Sequence, residues 1–221
     1  MRFFFMLVKA YYSRIVIKIS NSKTYYAHVI LNPLMTIGQI GTQILATLTL
    51  LSHVFLLVVL ADFLFTKLFH KKIKTLQTGK KLLVRYGKTL AFIVAVTATV
   101  GSLFFSEVAL FEPCKLCWFQ RIVMYPQVVI LYLLKNTYDF LLKKAGIILS
   151  SIGGIIASYH YYLQVSQTES FLHCSAIGYS VSCSDRFVMN YGYITIPMMA
   201  LTAFILIIVL LSFEKNTKRS R

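Results

Sequence analysis

An all-α, polytopic membrane protein is the fold class this sequence predicts: a four-helix transmembrane bundle plus one extra N-terminal hydrophobic helix. Three observations lead there. Hydrophobic residues make up 57% of the 221 positions, against roughly 45–50% in soluble domains. They are gathered into runs of about the 20 residues that cross a bilayer. The basic residues are gathered too, at the ends of those runs. Backbone in lipid has no water to bond, so each run is expected to be helical.

In chain order, the first long run is residues 44–65, ILATLTLLSHVFLLVVLADFLF. Its length suits a span, whereas His53 and Asp62 suit an interfacial helix or a segment that dips in and returns; these placements stay open. Before it, residues 1–43 carry Arg2, Lys9, Arg14, Lys18 and Lys23. The opening MRFFFMLV is short for a signal peptide and lacks a clear small-residue cleavage site. After it comes a basic block at 67–88, with Lys67, Lys71, Lys72, Lys74, Lys80, Lys81, Arg85 and Lys88 and no acid among them. Four further runs follow, at about 89–106, 118–134, 145–166 and 194–213. The third of these holds Gly153 and Gly154 with Ser150, Ser151, Ala157 and Ser158, a small-residue face for close helix packing. Pro126 and Pro197 are expected only to adjust helix shape. The chain thus divides into an extension (1–84), a membrane domain (85–213) and a basic tail (214–221).

Net charge is +16, which first suggests nucleic acid. No base-reading module accompanies it, and the charges flank apolar runs, so nucleic-acid binding is set aside. Lys and Arg accumulate in short cytoplasmic loops. That rule puts 67–88 inside, 107–117 outside, 135–144 inside, 167–193 outside and the C-terminal tail inside. If 44–65 spans, the basic residues before it lie outside, in conflict with the rule.

The cysteines are Cys114, Cys117, Cys174 and Cys183, and this topology puts all of them on the outer side, where disulfides persist. Three readings compete. A structural staple gains most from closing a long loop, and the Cys114–Cys117 ring is tiny. A zinc site favours two short-spaced pairs, and eight residues separate Cys174 from Cys183. A redox relay suits a Cys-x-x-C pair at a helix start, because the N-terminal dipole and free N–H groups favour thiolate. Cys117 is expected just before a helix that begins near Trp118. Arg121, four residues on, then shares its face and adds a permanent positive charge; the alternative is an arginine anchored at the interface.

The stretches EPCKLCWFQRIVMYP, SYHYYLQ and GYITIPMMALTAFILI resemble the disulfide bond formation protein B (DsbB) family, closest to its BdbC-like branch. The resemblance covers about 85–213. It implies a membrane thiol-disulfide oxidoreductase of the bacterial cytoplasmic membrane, acting with a thioredoxin-like extracytoplasmic thiol oxidase and a quinone (ubiquinone or menaquinone). It implies redox disulfides Cys114–Cys117 and Cys174–Cys183, with the partner attacking Cys174, and Cys117 and Arg121 meeting the quinone. A vitamin K epoxide reductase-like protein carries its Cys-x-x-C after the loop pair, whereas here it comes first. A non-enzymatic protein with stapled outer loops is the other alternative. His160 and Gln164 share one helical face, as a packing pair or as a quinone contact. Tyr159, Tyr161 and Tyr162 read as an interfacial aromatic belt. Residues 1–66 contain no cysteine and lie outside the resemblance, so they are expected to be dispensable for chemistry.

Overall fold

A computed structural model describes residues 24–69, 74–137, 139–168 and 182–213. Among the described residues there are five helices and no strand: α1 (Thr24–Phe69), α2 (Lys74–Glu107), α3 (Lys115–Asn136), α4 (Phe140–Ser166) and α5 (Ile196–Ser212). The first four contain stretches long and apolar enough to cross a membrane. The fifth is an apolar helix of 17 residues, about 26 Å long. Leu57, Phe63, Ile122 and Ile155 are largely exposed, as lipid-facing residues must be in a multi-pass membrane protein.

Local chemistry sets the helix ends. At the start of α4 the Asp139 carboxylate accepts from Leu141 N–H at 2.7 Å, a negative cap on the positive end of the helix dipole. Pro197 sits in the first turn of α5, where its missing N–H costs nothing. The α3 helix ends at Thr137, whose N–H and Oγ1 both bond Leu133 O. Lys88 Nζ donates to Thr137 O, and Lys135 lies over the rings of Phe92 and Tyr132, so basic residues tie this end of the bundle.

The core lies between α2, α3, α4 and α5, around Leu131, Leu134, Ala157, Phe204, Ile207 and Leu211. The small-residue face is rotated from the one expected. Gly146, Ser150, Gly153 and Ala157 are buried, while Ser151 and Ser158 are exposed and bond their own carbonyls four residues back. The helical period explains this: 146, 150, 153 and 157 share one stripe. A Cβ on Gly153 would collide with the ring of Phe204, so glycine here lets α4 and α5 approach.

The extra helix α1 is one continuous helix, not a segment that dips in and returns. It packs antiparallel to α2, with Gly41 under the ring of Phe104 and Leu45 against Gly101. Its early residues therefore lie at the same end as the α2–α3 connection.

Candidate functional site

The helix that carries the Cys-x-x-C pair begins earlier than the sequence suggested. It starts at Lys115, so Cys117 is in the first turn rather than ahead of it. The reason is Cys114, which caps the helix: its backbone is extended (φ −71°, ψ 173°) and its sulfur accepts from Cys117 N–H at 3.5 Å. The cap takes up one of the N–H groups a helix start leaves unpaired.

The two sulfurs lie 3.3 Å apart with Cys114 donating to Cys117, a hydrogen-bonded pair of thiols. That donated bond pushes the Cys114 thiol up from near 9 to about 12, with burial acting the same way; a hydrogen bond from Cys183 and the Cys117 backbone oppose it. Cys183 is 1% exposed and packs with Cys114, Leu116 and Leu163. Cys174, and with it the expected Cys174–Cys183 pairing, lies outside the described residues.

Cys183 is held by the end of α4. Gln167 takes a left-handed conformation (φ 53°) that stops the helix. The last carbonyls then turn to the loop: Arg186 Nε donates to Gln164 O at 2.6 Å, and its Nη2 to Val165 O at 3.2 Å. A cation at a helix C-terminus is favourable on electrostatic grounds. Gln164 Nε2 donates to Asp185 O at 2.8 Å, and Phe111 stacks on Phe187. These contacts fasten the second connection onto the first.

His160 is 2% exposed. Its Nδ1 is 3.0 Å from Gln120 Nε2, its Nε2 is 3.5 Å from Cys114 Sγ, and the Cys183 backbone also bonds it. Gln164 is buried one turn further along, and its Oε1 has no partner among the described residues. Tyr159 and Tyr162 are exposed, in keeping with an interfacial belt.

Arg121 does share the Cys117 face, and it is buried, at 9% exposed. Its Nε donates to Ser102 Oγ and its Nη2 to Ser102 O, both at 2.9 Å, and its guanidinium lies over Trp118. This grip fixes the planar group and leaves Nη1 without a hydrogen-bond partner among the described residues. Sequence reasoning missed Ser102 and Gln120. Gln120 lay within the quoted motif, three residues after Cys117, but nothing in the sequence paired Ser102 with an arginine one helix away.

Cys114, Cys117, Gln120, Arg121, His160 and Gln164 border a cavity of about 460 Å³. This is within the roughly 300–1,000 Å³ of small-molecule sites. Its remaining walls are mostly apolar, from α2, α5 and also α1. Residues 1–66, expected to be dispensable for chemistry, include Leu45, Leu48 and Phe55, which line the same space. A quinone fits these surroundings: apolar walls for the ring and tail, and an Arg121 N–H available to donate to a ring oxygen. A metal is the other group the residues suit, since Cys114 Sγ, Cys117 Sγ and His160 lie within 4.8 Å of one another.

Comparison with known proteins bears on the same region. The family model "Disulfide bond formation protein DsbB" matches residues 85–213. Disulfide bond formation protein C of Bacillus subtilis is 41% identical over 128 residues, 58% of this chain and 91% of that protein. The probable disulfide formation protein C of Bacillus cereus is 37% identical over 131 residues, 59% of this chain and 93% of that protein. The SPbeta prophage-derived disulfide bond formation protein B of Bacillus subtilis is 43% identical over 128 residues, 56% of this chain and 83% of that protein. No solved structure matches. With the family match covering more than half the chain, a Cys-x-x-C pair and a buried arginine bordering one cavity, and a second-loop cysteine packed against Cys114, the chain belongs to the DsbB family of disulfide bond formation proteins.

Proposed function

We propose that the protein re-oxidises a thioredoxin-like extracytoplasmic thiol oxidase and passes the two electrons to a membrane quinone. The observation that carries this reading is the meeting of Cys183 with Cys114 at the cavity that Cys117 and Arg121 also border. In the resting protein the pairs are Cys114–Cys117 and Cys174–Cys183. The partner's thiolate attacks Cys174, the Cys174–Cys183 bond breaks, and the Cys183 sulfur leaves with the electron pair. Cys183 then attacks Cys114, the Cys114–Cys117 bond breaks, and the pair moves to Cys117. Each step is thiolate attack on a disulfide, so each is reversible and near balanced. The partner's second thiol resolves its bond to Cys174 and is itself oxidised, and Cys174 in turn displaces Cys114 from Cys183, restoring both the loop disulfide and the Cys114 thiol.

The quinone supplies the two-electron, two-proton sink when bound. Around it, Arg121 Nη1 is the donor left to meet a quinone oxygen, Gln164 Oε1 can accept only from the hydroxyl of the reduced quinol, and Ser102 holds the guanidinium in place. His160, between Gln120 and Cys114, is the proton carrier nearest the sulfurs. The Cys-x-x-C loop and Cys183 face the extracytoplasmic side in this reading, and the C-terminus the cytoplasm.

The test is purified protein in a bilayer with a reduced thioredoxin-like oxidase and a quinone. Quinone absorbance should fall in step with partner oxidation, and only while the cysteines are intact. Partner oxidation that proceeds without quinone reduction defeats the acceptor; no partner oxidation at all defeats the reading.

A further inference from the structure

The extra helix α1 lies outside residues 85–213, yet it forms one wall of the cavity through Leu45, Leu48, Thr49, Leu51, Ser52 and Phe55. We propose that this stretch is the binding surface for the polyprenyl tail of the quinone, an inference that rests on the acceptor reading above.

Its polar groups point to hydrocarbon rather than to the ring oxygens. Thr49 Oγ1 donates to Leu45 O and Ser52 Oγ to Leu48 O, each at 2.8 Å. Those hydroxyls are satisfied within the helix, so α1 presents mainly apolar surface to the cavity. The unpartnered Arg121 Nη1 and Gln164 Oε1 belong to α3 and α4. The head group is therefore recognised at the cysteine end and the tail along α1. The stretch from 45 to 55 extends about 15 Å along the helix axis, more than a single ring occupies. Leu48 and Leu51 are 47% and 60% exposed while lining the cavity, so they stand where it opens toward the membrane, the direction from which a lipid-soluble tail enters.

The wall is fastened in place. On one side of it, Gln43 Nε2 and Thr47 Oγ1 bond Tyr191 Oη at 3.0 and 3.1 Å. On the other, His53 bonds Tyr193 Oη at 3.1 Å and Thr202 Oγ1 at 2.8 Å. Tyr191 and Gly192 both have positive φ (53° and 78°), and the turn they form presents Tyr191 and Tyr193 to α1. A tail surface held this way is rigid, which lowers the ordering cost of binding.

The experiment uses the full-length protein in vesicles with a tailed quinone that carries a diazirine on its tail. Adducts should map to residues 45–55, and unlabelled tailed quinone should compete them away. A phospholipid with a diazirine on its acyl chain is the second arm. If that lipid labels 45–55 equally and tailed quinone does not compete, the groove is an ordinary lipid contact and the proposal falls. Adducts confined to α2 and α5 overturn it as well. In steady-state assays, Leu48→Trp with Leu51→Trp should raise the ratio of KM for tailed quinone to KM for the same ring without a tail about tenfold; an unchanged ratio contradicts the tail site. If the wild-type protein reduces neither quinone, the acceptor reading itself has failed. If it reduces both and α1 is not labelled, only the tail site has failed.

Discussion

The two parts of this molecule that meet at the cavity are built differently. Helices α2 to α5 interlock: Gly153 admits the ring of Phe204, and Leu131, Ile207 and Leu211 are fully enclosed. Helix α1 instead lies against that bundle with most of its large side chains outward, held by Gly41, Leu45 and hydrogen bonds to Tyr191, Tyr193 and Thr202. Cys117, Arg121 and His160 belong to the interlocked helices, with Cys114 capping α3 and Cys183 packed against Cys114. Groups that must hold reacting sulfurs in register need a packed frame, whereas a wall for a hydrocarbon chain needs only shape.

The largest expected effect comes from breaking the relay. Cys117→Ser and Cys183→Ser should each abolish quinone reduction, measured by stopped-flow absorbance, while a change in the α1 wall leaves turnover detectable. Next comes Arg121. Arg121→Met should slow electron transfer to quinone by about 10²–10³, the usual cost of deleting one donor aimed at developing negative charge. Trapping of the mixed disulfide at Cys174 should be largely intact, and Arg121→Lys should retain part of the rate. Unchanged quinone kinetics in Arg121→Met would reduce this residue to an anchor between Ser102 and Trp118.

Packing separates the two parts in stability as well. Gly153→Ala should cost about 1–3 kcal/mol, because the Phe204 ring has nowhere to move in a filled core. Tyr193→Phe, which removes one hydrogen bond to α1, should cost only about 0.6 kcal/mol, as interhelical bonds in membranes typically do. Unfolding in mixed micelles measures both, and a reversed order would show α1 to be the better-docked element.

A smaller effect concerns Cys114 in the reduced protein. Its thiol is pushed up to about 12, above the ordinary thiol range. Below pH 9 it is protonated whether folded or not, so the hydrogen bond to Cys117 contributes its full stabilisation there. The contribution is lost as pH rises through about 12. Thiolate ultraviolet absorbance should titrate Cys114 at lower pH in Cys117→Ala than in the parent, since the acceptor of its raising hydrogen bond is gone while the Cys183 bond that opposes the rise is kept.

Much of this was legible in the sequence, for identifiable reasons. Run length and charge asymmetry give the bundle, and the helical period gives shared faces, which is why Arg121 was placed with Cys117 and His160 with Gln164. Periodicity says which side of a helix is buried but not what faces it. Ser102 as the grip on Arg121, Gln120 on His160, and α1 beside the cavity all depend on neighbours far away in the chain. The start of α3 differs from the expectation because cysteine is not a usual cap, and the small-residue stripe because the helical period puts Ser150, Gly153 and Ala157 inward and leaves Ser151 and Ser158 exposed.

The central claim is that Cys183 delivers electrons to Cys114. The direct measurement is disulfide mapping by mass spectrometry after oxidised protein meets one equivalent of reduced partner without quinone, quenched in acid. A Cys114–Cys183 disulfide is expected, with Cys174 joined to the partner. An intact Cys114–Cys117 bond beside two reduced loop cysteines would contradict it.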